Sequence, residues 1–230
     1  FYIRTVSKEY FKFLILVACT LGACTAQRVV KPLAKSEQQI SVNLGGPLIG
    51  FGSLTIPIPL SSINYANGIS DKLTVHGGLQ TTSLLYRTFQ LDAGATYGLL
   101  ENKGWTPGVS ISGSINVLSD MRERNSRFYP QLDANLYWDY GKNHFMYVGS
   151  TNWIELRNIK AHDERQEKRI LSGIQFGNTW NTDRWSYTVE SKWLAPTRSS
   201  LNSVVDYKTY SFGGEPLGAV GLYFGIARRF

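Results

Sequence analysis

Cysteine is nearly missing from this chain: of 230 residues only two are Cys, and both, Cys19 and Cys24, fall in the first 24. The remainder has no thiol from which to build a disulfide framework, so its stability must come from other sources. Also missing, after residue 24, is any run of 18 uninterrupted apolar residues. A membrane-spanning helix, which needs about 20, is therefore excluded there. Histidine is scarce, with three in all, His76, His144 and His162, none paired at metal-ligand spacing. No metal and no cofactor is expected. Neither an internal repeat nor a linker divides the chain, so one domain suffices. Charge is not concentrated either: the formal net charge of +7 is spread along the sequence. Basic chains include nucleic-acid binders, but the first residues point to secretion, so no nucleic acid is expected and anionic lipid head groups are the more natural partners.

Residues 1 to 12 carry Arg4, Lys8 and Lys12 against Glu9 alone, and an apolar core from Phe13 to Cys24 follows. A basic stretch before an apolar run of roughly ten residues has the layout of a secretory signal. Its end, Leu21-Gly22-Ala23-Cys24, resembles the bacterial lipoprotein box, in which the Cys is lipidated and becomes the mature N-terminus. Leu16-Val17-Ala18-Cys19 also fits but would cut the apolar core short. The expected division is a signal peptide over 1–23, a lipidated periplasmic segment over 24–37 with the lipid on Cys24, and a barrel over 38–230.

The barrel follows from alternation. Val109, Ile111, Gly113, Ile115 and Val117 interleave with Ser110, Ser112, Ser114 and Asn116. Phe128, Pro130, Leu132, Ala134, Leu136, Trp138 and Tyr140 interleave with Tyr129, Gln131, Asp133, Asn135, Tyr137 and Asp139. Similar runs start at Phe89 and Trp185. Alternation alone also suits a soluble sandwich. These runs, however, are far longer than the five or six residues of an ordinary strand, and their aromatics gather near the ends as in membrane-barrel girdles. In hydrocarbon every backbone N–H and C=O must be paired, which leaves a closed barrel as the one β solution.

The last strand, Leu217 to Phe230, separates a bulky face (Val220, Leu222, Phe224, Ile226, Arg228, Phe230) from a face of small or polar residues (Ala219, Gly221, Tyr223, Gly225, Ala227, Arg229). With its terminal Phe it resembles the closing strand of bacterial outer-membrane β-barrels, where the barrel assembly machinery reads a C-terminal aromatic during biogenesis. Arg228, third from the end, departs from the apolar residue usual there and reads as a lipid-phosphate or turn contact. The stretch Asn64 to Gly78, with Gly68-Ile-Ser-Asp-Lys72, resembles a turn-and-strand unit of small barrels of the Bacteroidota. With the lipoprotein box, it makes the chain similar to the lipid-anchored barrels of that group.

The expected fold is therefore all-β, an antiparallel transmembrane β-barrel of about ten strands, with strands near 38–46, 53–65, 71–80, 85–99, 107–118, 127–140, 143–157, 168–181, 184–195 and 217–230. Pro57 and Pro59 each remove a ladder donor and mark the second as irregular, which keeps open an eight-strand barrel with a plug-like 38–60 segment. Tight turns are expected near 67–71, 101–104, 141–143 and 181–183, and longer connections at 45–52, 80–84, 119–126, 158–168 and 196–216. Outer-membrane barrels have short periplasmic turns and long outer loops, so both termini are expected in the periplasm.

A barrel of this size is filled by side chains or holds one small ligand. Its inward positions include His76, Asp92, Ser114, Gln131, Asp133, Asn135, Asp139, Glu190 and Lys192. Simple pairing about turns near residues 84 and 103 sets His76 opposite Asp92 and Asp92 opposite Ser114. Such a polar cluster contains the residue types of a nucleophile, a base and an orienting acid, but with the Asp between the other two the order is wrong, and catalysis is not expected. In the loops, Arg122, Arg124, Arg127, Arg165, Lys168 and Arg169 are candidates to grip lipid phosphates, as guanidinium groups do in bidentate fashion. The loop with Tyr207, Tyr210 and Phe212 has a composition suited to protein contact. The function expected is a structural or accessory subunit of a larger outer-membrane complex, its partners being outer-membrane lipid, lipopolysaccharide and other outer-membrane proteins. A narrow channel or carrier is the alternative, and a lipid-modifying enzyme the third. The lipid on Cys24, superfluous for membrane retention, would fix residues 25–37 at the inner leaflet or against a partner.

Overall fold

The computed structural model describes residues 29–51, 53–122, 125–158, 169–199, 210–211 and 217–230. The strands are β1 (Gln38–Phe51), β2 (Leu54–Pro57), β3 (Leu60–Ser70), β4 (Leu73–Gln80), β5 (Thr88–Leu100), β6 (Gly108–Asp120), β7 (Ser126–Tyr140), β8 (His144–Ile154), β9 (Ile170–Asn181), β10 (Trp185–Ser199) and β11 (Leu217–Arg229), with one short helix, α1 (Thr81–Leu85). From β3 to β11 each strand pairs antiparallel with the next, and β1 pairs with β3 on one side and β11 on the other. The sheet thus closes as a ten-strand barrel, with β2 lying outside the ring, paired only to the far end of β1. The seam joins Gln39 to Arg229, Leu44 to Phe224 and Pro47 to Gly221, where the last strand was expected to meet the first. Closure leaves the ring without a free edge, so the backbone groups along the wall pair with a neighbouring strand on either side.

Three sequence expectations are corrected. The single strand expected over 53–65 is two: Leu54–Pro57 folds back on β1, and Pro59 interrupts the chain before β3 begins at Leu60. The turn expected at 67–71 lies at Asp71 and Lys72, and Gly68 sits inside β3 opposite Thr74. The connection expected at 45–52 is mostly strand, since β1 runs on to Phe51 with Gly45 held at φ 141°. A side chain at Gly45 would collide with the Leu222 carbonyl across the seam, so the close approach requires a glycine.

The faces are inverted relative to a soluble protein. Ile40, Val42, Leu44, Ile63, Leu91, Ile111, Ile115, Ile174, Phe176, Phe224 and Ile226 point outward and are exposed, while Ser41, Asn43, Ser62, Asn64, Gln90, Asn116, Asn135, Gln175 and Thr179 are buried inside. An apolar belt around a polar lumen is stable only with hydrocarbon outside, so the architecture is that of a transmembrane barrel. The start of β1 and the end of β11 lie at one mouth with the turns at 71–72, 101–107, 141–143 and 182–184; the opposite mouth carries β2, α1 and the ends of β6, β8 and β10. Leu132 stands mid-strand on the outer face of β7 and is 56% exposed. Leu132→Arg is expected to cost about 2–4 kcal/mol of folding stability in bilayers, as charges at the midplane of a barrel wall do. A urea titration in lipid vesicles with an unchanged midpoint would remove Leu132 from the hydrocarbon.

Candidate functional site

The lumen is the place where chemistry could gather, and strand register decides which side chains meet there. His76 lies opposite Gly94, and Gly94 opposite Ser114; Asp92 lies opposite Gly78 and Asn116. The expected pairing of His76 with Asp92 and of Asp92 with Ser114 is thus displaced by two residues. The cause is local: α1 and the two residues after it lengthen the β4–β5 connection, and the 101–107 connection centres the β5–β6 pairing later than residue 103, a shift that the bulge between Gly98 and Leu100 only partly offsets. His76 and Ser114 are two strand spacings apart, roughly 9–10 Å between backbones. His76 Nε2 instead lies 3.3 Å from Ser112 Oγ, which in turn donates to the Ala95 carbonyl and lies 3.1 Å from Thr96 Oγ1. The three predicted residues are brought to one wall but not into a relay. Further round, Gln131 Nε2 donates to both Asp133 oxygens and Asn116 Nδ2 to Gln131 Oε1.

A second cluster centres on a buried ion pair. Lys192 Nζ lies 3.2 Å from Glu190 Oε1, both side chains almost fully enclosed. Tyr147 OH donates to Glu190 Oε2 at 2.6 Å, and the ammonium also sits over the Tyr223 ring. Tyr147 reaches Glu190 by lying across Gly177, the residue opposite both of them on β9. A Cβ at Gly177 would fall 2.3 Å from the Tyr147 ring, so only glycine lets the phenol cross the strand. Tyr137 lies over Gly108 in the same way. Glu190 and Lys192 were anticipated as inward residues, but the tyrosines that lock them were not. Their signal is a Tyr at an inward position opposite a Gly, legible only once register is known.

The largest departure from expectation is at the mouth where β1 starts and β11 ends. Residues 29–35, expected as a periplasmic tail, form a strap inside the lumen. Thr96 Oγ1 donates to the Val29 carbonyl at 3.1 Å, Ser110 Oγ donates to the Val30 carbonyl at 2.5 Å, and the Leu33 N–H donates to Thr74 Oγ1 at 2.8 Å. The three hydroxyls belong to the adjacent strands β5, β6 and β4. Val30 packs on Tyr137, Phe145 and Tyr147, and Val29 and Leu33 pack on Ala66. Lys31 Nζ meets Asp139 Oδ2 at 2.7 Å at the rim, with both side chains partly in solvent. Lys35 N–H donates to Asp71 Oδ1, and Ser36, at φ 67°, turns the chain out of the lumen and into β1. Gly68 and Gly98 make room: a Cβ on the first would strike the Ala34 carbonyl, and one on the second would press on Pro32. Burying Val29, Val30 and Leu33 is worth up to about 1.5–3 kcal/mol each, against about 0.5–1.5 for each hydroxyl bond and under about 1 for the half-exposed ion pair. Apolar burial therefore holds the strap, while the polar contacts fix its position.

The loop cations divide. Arg122 is exposed in the turn after β6, its N–H bonded to Asp120 Oδ1 at 2.7 Å. Arg169 is exposed, with a guanidinium bond to Asn158 Oδ1. Arg127, the second residue of β7, lies opposite Leu118 on the inward-facing register of that strand. Arg124, Arg165 and Lys168 fall outside the described residues, as do Cys24, Tyr207 and Phe212. Arg157, which sequence reading passed over, ties the two loops together through Asn125 Oδ1 and the Ser126 carbonyl. Tyr210 bridges β1 and β11, its N–H directed at the Leu48 carbonyl and its own carbonyl accepting from Val220. Arg228 sits over the rings of Trp185 and Phe230 at the rim.

No family model matches the chain, and no curated protein matches it. Among solved structures it is similar to the translocator domain of the autotransporter NalP from Neisseria meningitidis, at 8% identity over 87% of this chain and 91% of that one, with a TM-score of 0.47. It is similar to an outer membrane channel from Pseudomonas putida at 10% identity, over 89% of this chain and 99% of that one, TM-score 0.47. The outer membrane protein OprG from Pseudomonas aeruginosa is matched at 9% identity over 87% and 99%, with a TM-score of 0.33. Likeness at this level carries nothing about role, and the barrel rests on its own strand pairing.

Proposed function

We propose that the chain is a lipid-anchored barrel of the bacterial outer membrane that serves, without catalysis of its own, as a structural or accessory subunit of a larger outer-membrane complex. The observation that carries this reading is the lumen: His76 with Ser112, Asn116 with Gln131, Gln131 with Asp133, Gln175 with Asn135 and Tyr147 with Glu190 are bonded to one another, and the chain's own residues 29–35 occupy one mouth. A barrel filled in this way offers its outer wall and its loops for work. On that wall Gly77 and Ala93 leave a shallow hollow ringed by Ile63, Tyr65, Leu79, Leu91 and Ile115, a place where another apolar surface fits. The short turns share a mouth with the start of β1 and the end of β11, which suits a periplasmic position for the termini and an external one for the longer loops. Cys24, five residues before the strap begins, would carry lipid at the inner leaflet, and the exposed Arg122 and Arg169 would face lipopolysaccharide phosphates. The decisive experiment is purification in mild detergent: a companion outer-membrane protein is expected to remain in fixed ratio through size exclusion, whereas a homogeneous lone barrel would overturn the reading.

A narrow channel or carrier for a small solute is the second reading, favoured by the continuous polar lining from Ser41 and Asn64 round to Lys192. It requires discrete conductance steps in planar bilayers, which the first reading does not.

A further inference from the structure

The strap is held as a ligand is held. Between Val29 and Leu33 it joins no strand ladder, and its backbone is met instead by side-chain hydroxyls from three successive strands. Bonds to backbone carbonyls and an N–H are indifferent to sequence, and in peptide recognition such bonds supply affinity while pockets supply specificity. The pockets are present too. Val30 enters a clamp of Tyr137, Phe145 and Tyr147. Lys31 is read by both oxygens of Asp139 at 2.7 and 2.9 Å and lies over the Tyr137 ring. Pro32 rests where Gly98 has no side chain, and Leu33 lies with Val29 on Ala66. Thr74, Thr96 and Ser110 are completely enclosed under the strap, and Thr96 continues through Ser112 to His76. Where Thr179 and Thr188 bond each other across adjacent strands, Thr74, Thr96 and Ser110 are turned to a segment that crosses them.

We propose that this mouth is a peptide-binding site: Thr74, Thr96, Ser110 and Asp139 receive an extended segment of the pattern apolar–apolar–Lys–Pro–apolar, supplied by Val29–Leu33 of the same chain and exchangeable for a partner segment of that pattern. The proposal rests on the reading of the barrel as a subunit of a complex and names the kind of contact its companion would make. The strap is suited to exchange because its one charged lock lies at the rim, in reach of water, and because its departure breaks no strand pairing.

The test uses a labelled peptide Val-Val-Lys-Pro-Leu-Ala-Lys and the full-length barrel in detergent, beside a variant in which residues 29–34 are replaced by a Gly-Ser stretch of equal length. Folding of each is verified by heat-modifiable migration. Saturable binding is expected to the strap-replaced barrel, at least tenfold weaker binding to the parent, and loss of binding for a peptide with Glu in place of Lys, restored by Asp139→Lys. Absence of saturable binding to the folded variant overturns the proposal. Should that variant fail to fold, Val30→Cys in the full chain decides: excess unlabelled peptide is expected to raise its thiol-modification rate severalfold over the background of the parent chain, and an unchanged rate overturns exchange. If peptide binding fails while a companion still co-purifies, the subunit role stands and the mouth is not its contact; loss of the companion alone sinks the subunit role and leaves the binding site.

Discussion

Lys192→Met is expected to lower the stability of the folded barrel by about 3–5 kcal/mol, the range found when one partner of a buried ion pair is removed. Glu190 and Lys192 are 0% and 3% exposed, so water cannot take the place of the lost ammonium. Met fills a similar volume, and the loss is therefore electrostatic rather than a packing defect. Glu190 keeps the Tyr147 hydroxyl at 2.6 Å, which softens the loss but does not neutralise the carboxylate. The double change Lys192→Met with Glu190→Gln is expected to recover most of the stability, because the charge is then gone rather than stranded. The readout is the urea midpoint for folding into vesicles. Asp139→Asn, at the rim, is the contrast: its pair with Lys31 is exposed on both sides and is expected to matter by less than about 1 kcal/mol. Equal effects at the two pairs would mean that the lumen is wet throughout.

Gly177→Val is expected to be as damaging for a different reason. Val is favoured in strands and Gly is not, so local preference alone would raise stability. The opposite outcome is expected, because the new side chain would occupy the space in which Tyr147 crosses β9 to reach Glu190. Displacing the ring costs about 1–3 kcal/mol in overpacking, and the broken bond to a charged acceptor about 1.5–3 more. Most of the chain should then run as the unfolded form on unheated gels. Tyr147→Ala in the same chain should return part of the folded band, since it relieves the collision without rebuilding the bond. A fully folded Gly177→Val single variant would show that the phenol does not cross the strand.

Most of the barrel was legible because period-two alternation survives wherever one strand face meets hydrocarbon and the other a polar lumen. The runs at 109–117 and 128–140 became β6 and β7, and the terminal strand paired with the first where its small inner face allowed. The candidate site was less legible, since it depends on register and on a segment with no period. One short helix between β4 and β5 moved His76 past Asp92 to a position opposite Gly94, and no count of residues across a plain turn would have shown this. Val29-Val-Lys-Pro-Leu33 carries Pro and Lys and lacks alternation, so it reads as part of a periplasmic segment ahead of the barrel. Only the hydroxyls of Thr74, Thr96 and Ser110 reveal it as an internal ligand, and these look like any polar lumen residue from sequence. Gly68 falls in the turn expected at 67–71; its actual task is to leave room for the Ala34 carbonyl.

The seam has a consequence in time. Gln39 and Arg229, nearly a whole chain apart, are paired neighbours at the point of closure. Contacts of such separation form slowly, because the intervening chain must be ordered before they contribute. The strap enters β1 through the reversal at Ser36, only a few residues before that seam, and its bonds reach β4, β5 and β6 on the far side of the lumen. Zipping β11 onto β1 therefore also anchors the root of the strap, and the longest-range pairing of the sheet sets the place from which residues 29–35 reach Thr74, Thr96 and Ser110.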